Sequence, residues 1–459
     1  MINDDDLKIM KQSNTLCLGD VKKLMHRMKN SMIVGTELET QNLQKENRDK
    51  LIQILDPTDN YYAVPDNLVV QVTTDGSLHS NGNAEVIMLG DNASFEELRD
   101  KYSFVEEKLR ELNFYVDHEC GQHLSLLTQK PTRIPSLVFR NYFQLIKLFS
   151  PELLFFSGAG INLGVNAEQP IIRLGARQYA NWNFNNTTAI NKTSQQMIEL
   201  SKLEAPRGIH SGREGGKYGF FNIYKTKIIP DSDDVGYLFV EFRTPDRQQI
   251  PSVTVALTFL IRALFLKAVK LSGSGLFLAT NDYWENKRNW LEQIFNHPAK
   301  EILKNKELFS SAEYFIDYLK DEFFYLDGEK AFNVMKFLCK NPLWKIRMDL
   351  KNSELDEEFE TRFKEYYKSK DKQDIIVAGL LELETYIRKN ITNDFEKKEV
   401  TGTYETIQEL LLVGINAKST EELMDKLAEK CKVTNVTIKK YFDENNIKVE
   451  KINDRFVGC

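Results

Sequence analysis

Four short runs in the first half of the chain, residues 32–40, 82–89, 121–128 and 237–244, alternate apolar and polar side chains with a period of two. That period marks half-buried strands. Between them the apolar spacing changes to three and four. Residues 94–113 place Phe95, Leu98, Phe104, Leu109 and Leu112 at helical intervals, and Ser94 followed by Glu97 has the spacing of a capping box. Further helical patterns fall at 135–149 and 194–203. Strands and helices mix without regular βαβ repetition, which predicts an α+β fold. After Pro251 the texture is helical throughout, with patterns at 253–271, 284–295, 312–323, 358–368 and 374–389. The final stretch sets Ser419 or Thr420 as N-cap of a helix over 421–431, then a turn, a second helix over 435–445 and a strand-like tail. This is helix-turn-helix-like spacing, with Lys439 and Lys440 giving the second helix positive charge. The expected division is a sheet-bearing unit over 1–285, a helical extension over 286–400 and a small helix-turn-helix-like module over 401–459.

A chain of 459 residues has room for two or three such units. The most apolar helix, 253–271, is interrupted by Arg262, Lys267 and Lys270 and reads as a buried helix rather than a membrane span. The net charge of -6 argues against a whole-protein affinity for nucleic acid, since phosphate neutralisation needs clustered Lys and Arg. Five scattered cysteines without a C-x-x-C pair fit neither a disulfide framework nor a zinc site. The first twelve residues include Asp4, Asp5 and Asp6 and lack a basic segment leading into an apolar run, so no signal peptide is expected. A reducing cytoplasm is the expected location.

The polar positions of the four strands carry the candidate chemistry. Alternation puts Glu37 and Glu39 on one face of their strand, about 7 Å apart, with Leu38 on the other. An isolated E-x-E is ordinarily a solvated strand face; its functional reading is a divalent-cation site, because a cation relieves the repulsion and hard oxygens suit magnesium. The pattern recurs. Glu241 and Arg243 share a face opposite Val240 and Phe242, and His123 and Ser125 share one opposite Leu124 and Leu126. Glu85 heads an apolar run, where a carboxylate is costly unless paired or bound to metal. Chance accounts for one such strand better than for four. In one antiparallel sheet, the apolar face would lie under helices and the polar face would line a cleft able to hold two or more magnesium ions.

The ordered set G-x-E-x-E (Gly35 to Glu39), D-G-S-L (Asp75 to Leu78), A-E-V-I (Ala84 to Ile87), C-G-x-H (Cys120 to His123), K-Y-x-x-x-N (Lys217 to Asn222) and V-E-F-R (Val240 to Arg243) resembles the amidoligase family. That family is grouped with glutamine synthetase and glutamate-cysteine ligase, the carboxylate-amine ligases. The resemblance covers roughly residues 30–270 and implies a glutamine-synthetase-like antiparallel sheet with helices on one face. It also implies ATP and magnesium as cofactors. Glu37, Glu39, Glu85, His123 and Glu241 would be the magnesium ligands, and Arg243 would contact the transferred phosphoryl group. Tyr218 and Asn222 match a family motif of less certain role. Two departures bear on substrate-side contacts and on one metal ligand, and leave the core carboxylate set complete: Ser125 stands where the family usually has a second His, and Thr244-Pro245-Asp246-Arg247-Gln248 replaces a Gly-Thr after E-F-R.

A glycine-rich, basic stretch over 207–219 reads as a lid that can close over phosphate with backbone amides and Arg213 or Lys217, although it lacks the P-loop order. Such a stretch can equally be a plain connection. Arg173 and Arg177 are candidates for anchoring an anionic substrate. The substrates expected are a carboxylate and an amine, on a peptide or protein in one version, with the helical C-terminal region as a docking surface for a partner. Two other readings remain open here: a magnesium-dependent nuclease or phosphatase, and a non-enzymatic regulator that binds DNA through its C-terminal helices.

Overall fold

The alternating run at Met32–Thr40 becomes the central strand of a sheet because its even-numbered side chains, Val34, Thr36 and Leu38, are buried against helices while Glu37 and Glu39 project from the other face. The structure is a computed structural model that describes residues 18–55, 70–90, 92–117, 119–129, 132–161, 170–172, 227–232, 235–273, 281–352, 372–392, 415–416, 419–431, 438–439, 442–443, 449–452 and 455–458. The expected helices at 194–203 and 358–368, the glycine-rich stretch at 207–219, and Arg173 and Arg177 lie outside these residues.

The chain resolves into two compact units, Met1–Ile391 and Thr392–Cys459. In the first, the order is α1 (Leu18–Ser31), β1 (Met32–Thr40), α2 (Lys45–Leu55), β2 (Val70–Thr73), β3 (Ala84–Met88), α3 (Phe95–Glu111), β4 (Gln122–Thr128), β5 (Thr132–Arg133), α4 (Ser136–Leu148), α5 (Ser150–Ser157), β6 (Lys227–Ser232), β7 (Val235–Phe242) and α6 (Pro251–Gly273). There follow α7 (Asn281–Asn296), α8 (Ala299–Ile302), α9 (Lys306–Tyr318), α10 (Lys320–Tyr325), α11 (Glu329–Lys340), α12 (Leu343–Asn352), α13 (Lys372–Tyr386) and a π-helical turn, Ile387–Ile391. The fold is mixed α+β, as expected from the sequence. Its sheet runs in the order β2-β3-β1-β4-β7-β5, with β6 also paired to β7, and the pairings are antiparallel.

Helix α3 starts where the capping box predicts. Ser94 Oγ accepts from the Glu97 N–H, and the Glu97 carboxylate accepts from the Ser94 N–H. Helix α6 is the core of the unit: Val255, Ala256, Phe259, Ala263, Leu264 and Leu266 are buried among α1, α3, α4 and α11 and under β1 and β4. It is long and apolar enough to cross a membrane, yet 94% of its most apolar window is buried inside the protein.

The expected break near residue 285 is not a boundary in packing. Lys287 of α7 pairs with Glu152 of α5, whose carboxylate also accepts from Ser311 of α9. Trp344 of α12 donates its indole N–H to Phe155 O at 3.2 Å, Arg347 reaches Gln249 Oε1 at 2.8 Å, and Glu384 of α13 accepts from the N–H and hydroxyl of Ser252 at the start of α6. Paired polar groups of this kind are buried together or not at all. The described helices between residues 286 and 391 therefore fold onto the sheet-bearing part as one unit.

In the second unit the described residues form β8 (Ile415–Asn416), α14 (Thr420–Cys431), β9 (Val449–Ile452) and β10 (Arg455–Gly458). Ser419 caps α14 by accepting from the Glu422 N–H at 3.2 Å. The strand-like tail is an antiparallel hairpin, and β8 joins it on the far side to give the order β8-β10-β9. Of the expected second helix only 438–439 and 442–443 are described, and these are helical.

Candidate active site

Strand register gathers the charged residues. Glu37 lies directly opposite His123 across β1 and β4, Glu39 opposite Glu85 across β1 and β3, and Ser125 opposite Glu241 across β4 and β7. These six side chains share the sheet face turned away from the Val34, Leu38, Val86, Leu124, Leu126 and Val240 core. Two carboxylates facing each other across a strand pair repel, so Glu39 beside Glu85 is unfavourable without a cation.

The imidazole of His123 is wedged among three of the acids. Its Nδ1 lies 2.7 Å from Glu37 Oε2 and 3.7 Å from Glu241 Oε1, and its Nε2 lies 3.4 Å from Glu39 Oε1. The Glu241 side chain is wholly buried (0%) and those of Glu39 and His123 nearly so (4% and 3%), while Glu37 keeps 18% exposure. Glu39 is held from beneath by the Gly121 N–H, so the C-G-x-H segment positions two groups at once.

Two triads of ligand atoms lie close enough to share an ion: Glu37, Glu85 and His123, and Glu39, Asp75 and Glu85, each within 4.8 Å. Glu85 belongs to both, as a carboxylate bridging two neighbouring ions does. Burial first, then the charges of Glu37 and Asp75, push the Glu85 carboxyl up to about 8. Two buried polar atoms on the same face, His123 Nε2 and Ser125 Oγ, have no hydrogen-bond partner. Carboxylate oxygens with one imidazole and two unsatisfied polar atoms fit hard divalent cations such as magnesium.

Arg243 stands beside the cluster at the end of β7, half-buried, its Nη1 3.4 Å from Glu241 Oε1. Glu37, Glu39, Glu85, His123, Glu241 and Arg243 are thus brought together. Arg213, Lys217, Tyr218 and Asn222 lie outside the described residues. Sequence reasoning gave no role to Asp75, although the D-G-S-L motif that contains it was the available signal. Asp75 caps its own turn by accepting from the Ser77 N–H at 2.7 Å, and its N–H is fixed by Asn83 Oδ1 at 3.1 Å. The following turn, over 80–83, lies against 42–44 so closely that Gly82 has no room for a β-carbon, which would fall 2.4 Å from Gln44 O.

The segment after V-E-F-R is a buried strut. Gln122 N–H donates to Pro245 O, Asp246 Oδ2 accepts from the Ala159 N–H, and Arg247 pairs with Glu106 of α3. Thr244, Asp246, Arg247 and Gln248 are all buried, so these residues brace the floor beside β4.

No family model and no curated protein matches the chain. Among solved structures it is similar to the bifunctional glutathione synthetase of Pasteurella multocida, at a TM-score of 0.42 and 11% identity over 94% of this chain. The match spans 58% of that longer protein. It is also similar to a complex of the prokaryotic ubiquitin-like protein Pup and its ligase PafA, at a TM-score of 0.33 and 12% identity over 93% of this chain and 86% of the other.

Proposed function

We propose that the chain is an ATP- and magnesium-dependent carboxylate-amine ligase that makes an amide or peptide bond through an acyl phosphate. The observation that carries this reading is the pair of overlapping ligand triads that share Glu85, with Arg243 at their edge. A carboxylate does not react with an amine at neutral pH, because its leaving group would be oxide. It has to be phosphorylated first. Moving the γ-phosphoryl group of ATP onto a carboxylate crowds negative oxygens together, and magnesium when bound supplies the charge that offsets them.

Glu37, Glu39, Glu85, His123 and Glu241 hold that charge in place in this reading, fixed by the register of four strands, and Asp75 joins them from the turn between β2 and β3. Arg243 offers a planar fork of donors to the phosphoryl oxygens, and Glu241 orients it from 3.4 Å away. Arg213 and Lys217 of the glycine-rich stretch are assigned to the ATP phosphates, and Tyr218 and Asn222 to the same cofactor. The substrates are an acid and an amine, and the reading extends to acids or amines carried on a peptide or protein. The C-terminal helical region is assigned to docking the macromolecular partner, and the cytoplasm is the proposed setting.

The same overlapping triads also suit a two-ion nuclease or phosphatase. One assay separates the two. Purified protein is incubated with ATP, magnesium and a panel of amino acids and amines, and ADP release is followed. Release that needs both an acid and an amine, and disappears in Glu37→Gln, is the expected result; ATP loss indifferent to both additions, or phosphate release from nucleic acid, refutes the ligase.

A further inference from the structure

A second group of metal-ligating side chains lies outside the cluster just described. Gln41 continues the β1 face two residues beyond Glu39 and forms a bridge to Tyr115. Its amide is locked in orientation: Oε1 accepts from the N–H and hydroxyl of Ser80, at 3.3 and 2.5 Å. Nε2 therefore points the other way, where it lies 3.2 Å from His79 Nδ1, 3.5 Å from Asp117 Oδ1 and 3.2 Å from Glu119 Oε2. Ligand atoms of His79, Asp117 and Glu119 lie within 4.8 Å of one another.

Glu119 Oε2 lies 2.6 Å from His79 Nδ1 and accepts from the His79 N–H at 3.2 Å, and His79 Nε2 is 3.8 Å from Asp117 Oδ2. Asp117 Oδ1 accepts from the Glu119 N–H at 3.0 Å and faces Cys120 Sγ at 3.5 Å. The His79 side chain is 55% exposed, so an ion reaches the group from solvent. The Glu37, Glu85 and His123 triad has the same ligand types but shares Glu85 with the all-carboxylate triad of Glu39, Asp75 and Glu85, whereas His79, Asp117 and Glu119 share no ligand with another triad among the described residues. One nitrogen in so small a set suits zinc and its neighbours.

We propose that His79, Asp117 and Glu119 form a zinc-class transition-metal site, separate from the proposed magnesium centre. Its place in the fold gives it a use. The three residues belong to the turn that carries Asp75 and to the segment that leads into Gly121 and His123. An ion here clips these two segments together and fixes Asp75 and the Gly121 N–H against Glu39. The inference does not depend on the ligase reading, since it concerns a different set of ligands.

The test uses the full-length protein with magnesium in excess, titrated with Zn2+ by calorimetry and with Co2+ by visible absorption. One saturable equivalent is expected, with a cobalt spectrum of low coordination number and a Tm raised by Zn2+. His79→Ala is expected to weaken Zn2+ binding by at least about tenfold and to abolish the Tm rise. Glu119→Gln gives the same loss should His79→Ala fold poorly, and Glu37→Gln leaves the site intact. Absence of saturable Zn2+ binding overturns the proposal and leaves the group a hydrogen-bonded knot. Zn2+ binding that survives both His79→Ala and Glu119→Gln overturns it equally.

Discussion

Glu85 stands in both ligand triads, and its carboxyl is pushed up to about 8 by burial and by the acids around it. A folded-state pKa above the ordinary carboxylate value of 4.5 means that the group favours the fold below pH 4.5 and loses that contribution as pH rises through about 8. The ion-free protein should therefore lose stability across that window, and magnesium should restore it. Because the ion displaces the Glu85 proton, magnesium affinity should climb by up to about tenfold per pH unit below pH 8 and then level off. Titrations at pH 6, 7, 8 and 9 check this, and a flat profile contradicts it. Glu37→Gln and Glu39→Gln should abolish ATP turnover while raising the Tm of the ion-free protein, because each removes one of several crowded like charges and Gln at 39 can still accept from Gly121. Arg243→Lys should be nearly as damaging as Arg243→Ala, with turnover down at least about tenfold, since a point charge replaces a planar fork. Steady-state rates decide whether Arg243 acts on the phosphoryl group or only pairs with Glu241. At this scale the sequence was informative where side chains alternate on strands: Glu37, Glu39, His123 and Glu241 share one face as their spacing requires. Asp75 was not legible in the same way, because it sits in a turn, where no period tells which direction a side chain takes.

The elements themselves followed their periods closely, and their ends followed less well. The helical pattern over 312–323 is continuous in sequence, yet α9 ends at Tyr318 and α10 begins at Lys320. Leu319 ends the first helix by donating its N–H to Ile316 O at 3.1 Å, and Phe315, Ile316, Leu319 and Phe323 are all buried. The apolar spacing carries across the break because both helices turn toward one core, so period alone hides it. The boundary expected near 285 failed for a related reason: Glu152 and Lys287 are far apart in sequence, and nothing local announces that they meet. Their pairing predicts a measurable asymmetry. Lys287→Met should destabilise the protein by about 3 to 5 kcal/mol, because it leaves a fully buried Glu152 without its cation. Glu152→Leu combined with Lys287→Met should recover most of that loss. Chemical denaturation of both variants makes the comparison, and equal loss in both would place the role of the pair elsewhere.

Across the whole molecule, the candidate cluster lies entirely within the unit Met1–Ile391, and the unit Thr392–Cys459 has its own sheet. A chain ended at Ile391 should therefore keep its magnesium and ATP affinity, with any loss falling on capture of a macromolecular substrate. Equilibrium binding of ATP to the shortened and complete chains tests this, and a shortened chain that folds but no longer binds ATP refutes the division. A chain ended at residue 285 should fail to fold, since it strips α5 and α6 of their partners. The central claim is that the face carrying Glu37, Glu39, Glu85, His123, Glu241 and Arg243 moves a phosphoryl group from ATP to a carboxylate. Its most direct measurement uses the acid found in the ADP-release assay, labelled with 18O in its carboxylate, and reads the inorganic phosphate by mass spectrometry after turnover with the amine. An acyl phosphate leaves one labelled oxygen in phosphate for each bond made, with ADP as the nucleotide product; unlabelled phosphate, or AMP carrying the label, contradicts the account.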